Sequence, residues 1–242
     1  MKDQYVGDIG DYGKYGLLRF LANKGIKIGV NWYLTKNDET GHGNLIDYCD
    51  IKQCDEELFD LLQRIVAKGK ENKHVWDIEE SKIIPDARFF SEELSAGDPM
   101  SREAWHRRGV EALSFEDVEL VFADPDNGTW KSGRRLPRRN GEKYARIEEL
   151  YDYYVNGKDV VYYCHKARRN KDSWEEKKRE FKDVAADAAI IVLTFRRGTQ
   201  RSYIFAIHPH NYRKYDAMIH EFLSEAWGTL STSKKKPPFN RE

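Results

Sequence analysis

Asp124-Pro125-Asp126-Asn127-Gly128 places two carboxylates and an amide directly after the apolar run Val118–Ala123. Pro125 stiffens the exit from that run, and Gly128 permits a tight turn. Such a set could hydrogen-bond an amino group awaiting alkylation, or supply oxygen ligands to a hard cation such as Mg²⁺ or Mn²⁺. An ordinary Asx turn closing a strand uses the same residue types. His165 stands in a comparable position after Asp159–Cys164, with Arg168 and Arg169 just beyond it. A histidine there can serve as a general base near neutral pH, and the arginines can clamp a phosphate with two parallel hydrogen bonds. Asp124, Asp126, Asn127 and His165 are therefore the candidate catalytic residues, and Asp124 and Asp126 are also candidate metal ligands.

Two further stretches could face a bound group. Gly7, Gly10, Gly13 and Gly16 crowd one ten-residue segment with Asp8, Asp11 and Lys14. That density costs backbone entropy unless the segment turns tightly, packs closely or approaches a ligand. Asn31-Trp32-Tyr33-Leu34-Thr35 leads into the polar loop Lys36–Asn44, where a nucleotide-type fold seats its cofactor. The loop holds no G-x-G-x-x-G, and Trp32 and Tyr33 stand where a dinucleotide fingerprint needs small residues. Asp38, Glu39 and His42 read either as metal ligands or as a solvated acidic loop.

These clusters need a scaffold that delivers them to one place. Apolar runs predict strands at Ile26–Thr35, Val118–Ala123, Asp159–Cys164, Ala188–Phe195 and Ser202–Ile207, the last two close enough for an antiparallel hairpin. Helical spacing covers 53–68, 101–113, 143–156, 171–183 and 211–227, and an N-terminal helix capped by Asp11 ends at Gly25. Strands alternating with helices predict an α/β class. The expected form is a doubly wound, mostly parallel, Rossmann-like sheet with an N-terminal helical extension, a closing antiparallel hairpin and a C-terminal helix. Such a sheet gathers its chemistry at the carboxyl ends of its strands.

Composition sets the outer bounds. The 242 residues carry 41 Lys+Arg against 41 Asp+Glu and are 40% hydrophobic, which suits one substantial domain over 1–230 and excludes a disordered chain. A net charge of zero means that any polyanion site must come from local segregation. Such segregation exists: 131–146 holds Lys131, Arg134, Arg135, Arg138, Arg139, Lys143 and Arg146 against Glu142, within a glycine- and proline-interrupted insertion loop at 130–142. Arg134, Arg135, Arg138 and Arg139 of that loop, with Arg168, Arg169, Arg196, Arg197 and Lys234–Lys236 of a basic polar tail at 231–242, are the candidate nucleic-acid contacts. Trp105 and Trp130 are candidates to stack bases. Three cysteines make no even disulfide framework, and no apolar stretch reaches a membrane-spanning length, so a cytoplasmic protein is expected.

Lys14-Tyr15 ahead of the first strand, Phe122-Ala123-Asp124-Pro125 at a later strand end, and the hairpin at 188–207 together resemble the class I S-adenosylmethionine-dependent methyltransferase fold. Within it the order is similar to three-Cys-motif partner proteins and rRNA adenine methyltransferases over residues 10–207. The resemblance implies S-adenosylmethionine as cofactor, Asn31, Thr35 and Asp38 lining its pocket, and Asp124 and Asn127 approaching a substrate amine on nucleic acid. Where those enzymes carry an aromatic after the D-P core, this chain has Asp126 and Asn127. Asp124 and Asp126, joined by Asp8 or Asp11, support a second chemistry, phosphodiester hydrolysis with a divalent cation and with His165 as base or phosphate contact. A third reading is a non-catalytic module that binds nucleic acid or protein through its basic segments.

Overall fold

The computed structural model describes residues 1–38, 43–95, 99–165, 171–231 and 235–242. Among the described residues nine strands form in chain order: β1 (Ile28–Asn31), β2 (Arg88–Phe90), β3 (Leu120–Ala123), β4 (Thr129–Trp130), β5 (Ala145–Arg146), β6 (Asp159–His165), β7 (Ala189–Phe195), β8 (Arg201–Ile207) and β9 (Phe239–Arg241). Seven of them make one sheet in the order β2-β1-β3-β6-β8-β7-β9. β2, β1, β3 and β6 pair in parallel, whereas β8 is antiparallel to both of its neighbours, β6 and β7. The expected hairpin is thus present, with its second strand slotted between β6 and β7. β9, inside the stretch 231–242, pairs antiparallel with β7 and buries Phe239, so the end of that stretch belongs to the sheet.

Alternation along the strands builds two cores, one on each face. Leu120, Phe122, Val161, Leu193 and Phe205 point to one side. There they meet α1 (Ile9–Asn23), α2 (Glu56–Val66) and α3 (Val75–Glu80). Val121, Ala123, Val160, Tyr162 and Ile204 point to the other, against α4 (Pro99–Leu113), α5 (Ile147–Val155) and α6 (Lys171–Arg179). α7 (Tyr212–Ser224) and α8 (Ala226–Thr229) return to the α1 face through Ile219, Phe222 and Trp227. Helices on both faces of a largely parallel sheet make this a Rossmann-like α/β fold.

Local chemistry sets the ends that matter for the site. Asp8, rather than Asp11, caps α1: its carboxylate accepts from the backbone N–H of Gly10 at 2.7 Å and of Asp11 at 2.9 Å. Asp11 sits one turn further in and is free to turn its side chain toward Lys14. β1 ends at Asn31, four residues before the expected limit, because Tyr33 takes the left-handed region with φ 45°. Asn31 Oδ1 accepts from the Tyr33 N–H at 3.0 Å and holds that bend. Among the described residues no helix is long and apolar enough to cross a membrane.

Candidate functional site

A cavity of about 640 Å³ opens at the carboxyl ends of β3 and β6 on the α1 side. Asp8, Asp11, Lys14, Asp38, Asp124, Asp126, Asn127 and His165 all line it, so the fold gathers the acidic turn, the glycine-dense segment and the strand-end histidine into one place. The glycines serve the packing of α1. A Cβ on Gly10 would strike the Arg201 guanidinium, and one on Gly13 would strike the Phe195 ring. This close approach lets Arg201 reach Asp8, with Nη2 donating to Oδ2 at 3.0 Å.

Charge inside the cavity is paired. Lys14 Nζ lies 2.7 Å from Asp11 Oδ1 and 2.7 Å from Asp124 Oδ2, all three side chains being nearly inaccessible to solvent. Burial raises the Asp11 pKa, working against the Lys14 ammonium, and the neighbouring Asp8 adds to the rise. Burial alone would lower the Lys14 pKa, but Asp11 and then Asp124 more than offset it, and the ammonium is held above the ordinary lysine range. One cation between two buried carboxylates fixes the orientation of Asp124 at the head of its turn.

A second convergence forms where β1 and β3 end. The Met1 nitrogen lies 2.8 Å from the Asp124 carbonyl oxygen, 3.1 Å from the Tyr33 carbonyl oxygen and 2.9 Å from Asp126 Oδ1. The left-handed Tyr33 turns its carbonyl to this point, and its hydroxyl, donating to Glu149 at 3.2 Å, anchors the ring on the opposite face. At the other end of the same residue, the Met1 carbonyl accepts from the Thr35 N–H at 2.9 Å. The Met1 sulfur is 3.7 Å from Lys14 Nζ. Lys2 pairs with Asp38, and Gln4 donates to Asp38 Oδ1 at 3.1 Å, which stitches the first residues to the loop after β1.

Other residues singled out in the sequence fall elsewhere. Asn31 is buried away from the cavity and donates to the Tyr153 hydroxyl at 3.0 Å. Arg134, Arg135, Arg138 and Arg139 are exposed on the loop between β4 and β5. That loop is rooted at the acidic turn, because Asn127 N–H donates to the Lys143 carbonyl at 2.9 Å and Ala145 N–H to Gly128 at 3.1 Å. Trp130, whose indole donates to the Arg135 carbonyl at 3.0 Å, stands half-buried at its base, while Trp105 is buried. Arg196 is half-buried, and Arg197 is buried, 4.0 Å from Asp50. Arg168, Arg169, Glu39, His42 and Lys234 lie outside the described residues. Among the described residues no group of three or more His, Cys, Asp or Glu side chains is placed to hold a metal ion.

Sequence reasoning missed Tyr163, Arg201 and Tyr203, which also line the cavity. Tyr163 read as strand core and Arg201 as part of a turn. Only the pairing register, Tyr163 with Tyr203 and His165 with Arg201, brings the four together.

Fold and site define a Rossmann-like α/β protein with a carboxylate-rich cavity at its strand ends. No family model matches the chain, and no curated protein matches it. Among solved structures it is similar to protein LPL1258 from Legionella pneumophila str. Philadelphia 1, described under the family model DUF519. The identity is 12%, 98% of this chain and 96% of that one are covered, and the TM-score is 0.48.

Proposed function

We propose that the cavity is the site of a methyltransferase-like enzyme that uses S-adenosylmethionine and acts on an amino group of nucleic acid. The observation that carries this reading is the seat of Met1, a methionine held at both polar ends in the strand-end crevice. Its nitrogen is surrounded by the Tyr33 and Asp124 carbonyls and the Asp126 carboxylate, and its carbonyl takes the Thr35 N–H. The same acceptors and donor suit the amino-acid end of S-adenosylmethionine, once Met1 withdraws. The chemistry such a cofactor supplies is a methyl group on an electron-poor sulfur.

The chain's own residues would do the rest. Asp124, oriented by Lys14, and Asn127 at the mouth accept hydrogen bonds from the substrate amine and aim it. His165, whose Nδ1 lies 3.2 Å from the Tyr163 hydroxyl, is placed to receive a proton from that amine. The arginine loop, rooted on the same turn, supplies phosphate contacts.

Melting temperature measured with S-adenosylmethionine and separately with Mg²⁺ or Mn²⁺ tests the reading, since a ligand that binds the folded state stabilises it. We expect a rise with S-adenosylmethionine, transfer of labelled methyl to RNA or DNA, and a loss of about 100-fold in that transfer for Asp124→Asn. A rise with the divalent cation alone would overturn the proposal in favour of phosphodiester hydrolysis at Asp124 and Asp126.

A further inference from the structure

One wall of the cavity is a two-by-two grid on the β6–β8 ladder. Tyr163 stands opposite Tyr203 and His165 opposite Arg201, and the two-residue strand period turns all four side chains toward α1. Three of them have hydrogen-bonding partners: the Tyr163 hydroxyl and His165 Nδ1 lie 3.2 Å apart, and Arg201 donates to Asp8 at 3.0 Å. The Tyr203 hydroxyl is buried and has no hydrogen-bond partner among the described residues. Tyr154, Tyr162 and Tyr215 share that condition, but of the four only Tyr203 lines the cavity. An unpaired buried hydroxyl is a cost to folding, and phenylalanine would fill the same space without it.

We propose that Tyr203 is a substrate-contact residue whose hydroxyl donates to an acceptor atom of the group entering the cavity, beside the carboxylates that accept from its amine. The proposal rests on the amine-directed reading above and adds the shape of the edge that is read. Carboxylates accept and a phenol donates, so the complementary edge carries an amino group next to an unprotonated ring nitrogen. Cytosine and adenine present that edge, and thymine presents the reverse. Burial raises the Tyr203 pKa well above the phenol range, with Arg201 opposing and Asp124 reinforcing, so the proton it would donate is retained.

Tyr203→Phe separates this role from a structural one. The free variant is expected to melt at or above the wild-type temperature, because it loses an unpaired polar atom and no bond. The wild-type protein should bind oligo-dC or oligo-dA more tightly than oligo-dT, and the variant should lose about 10-fold of that preference, the effect of one hydrogen bond of about 1.4 kcal/mol. A free variant that melts several degrees lower would show that the hydroxyl is bonded within the protein, and would overturn the proposal. Equal binding of the three oligonucleotides by the wild type, or an unchanged preference in the variant, would overturn it as well. Preference lost in Tyr203→Phe without labelled methyl transfer in the wild type would sink the methyltransferase reading and leave the Tyr203 contact standing.

Discussion

On the α4–α5 face Arg102 donates through Nε to Glu149 Oε1 at 2.6 Å and through Nη2 to Oε2 at 2.8 Å, and Nη2 also reaches the Tyr144 carbonyl at 2.7 Å. Glu149 accepts as well from the Tyr33 hydroxyl and the Arg146 N–H. On the α1 face one ammonium, Lys14, serves two carboxylates, while the Tyr203 hydroxyl is buried without a hydrogen-bond partner among the described residues. Both clusters are buried and ionic. The first is closed on itself and ties α4 to α5 beneath the basic loop. The second keeps unused bonding capacity on a cavity wall, as a place built to receive something must.

The contrast is broken most directly at Arg102. Arg102→Met should cost about 3–5 kcal/mol, because it strands a buried Glu149, and denaturant unfolding would measure it. A loss below about 1 kcal/mol would remove the idea that this pair is scaffold.

Lys14→Met should cost less, about 2 kcal/mol, because the two carboxylates it strands border a cavity from which water can reach them once the ammonium is gone. Its pH dependence carries the sign. The folded pKa of Asp11 lies above the unfolded value of about 3.9, so the folded state holds the extra proton between the two, and there stability falls as pH rises. Lys14 lowers the Asp11 pKa, so its removal widens that window upward, and the deficit of the variant should shrink as pH is lowered from 7 toward 4. In the wild type the raised Lys14 pKa contributes stability that is complete below the unfolded value of about 10.4, and is lost as pH climbs through the folded value. A deficit that grows on acidification would contradict this assignment of charges.

Asp126→Asn sharpens the contrast from the other side. Stability should change by less than about 1 kcal/mol, while the dissociation constant for S-adenosylmethionine in calorimetry should rise about 10-fold, as one charged acceptor is lost. The smallest effect on folding is expected for Ala at Arg134, Arg135, Arg138 and Arg139 together, within about 0.5 kcal/mol, as these side chains are exposed. Their signature lies in the salt dependence of nucleic-acid binding, whose log–log slope should flatten by about 0.7–0.9 for each phosphate contact removed.

Much of the sheet was legible because its central strands are buried on both faces and read as apolar runs with a single polar residue each, such as Val118–Ala123 and Ala188–Phe195. The edges were not. β2 is three residues long with Arg88 exposed, and β9 follows Lys235-Lys236-Pro237-Pro238, a context that reads as a tail. In the site, Asp124, Asp126, Asn127 and His165 were visible because polar residues after an apolar run stand out against it. Tyr163 and Tyr203 were hidden by resembling the core they border, and Arg201 by following Gly198-Thr199-Gln200. What selects these three is a cross-strand register, which no local window of sequence contains.

The position of β8 also imposes a timetable on synthesis. Asp8, Asp11 and Lys14 leave the ribosome well before Arg201, the partner of Asp8, which follows 193 residues later in the chain. A nascent chain that has folded α1 onto β1, β3 and β6 lacks the wall made by Arg201 and Tyr203, and leaves Asp8 without its guanidinium and β6 with a bare edge. The cavity therefore comes into being late, when the locally formed β7–β8 hairpin docks on β6, and a truncated product ending before it would have no finished pocket to act through.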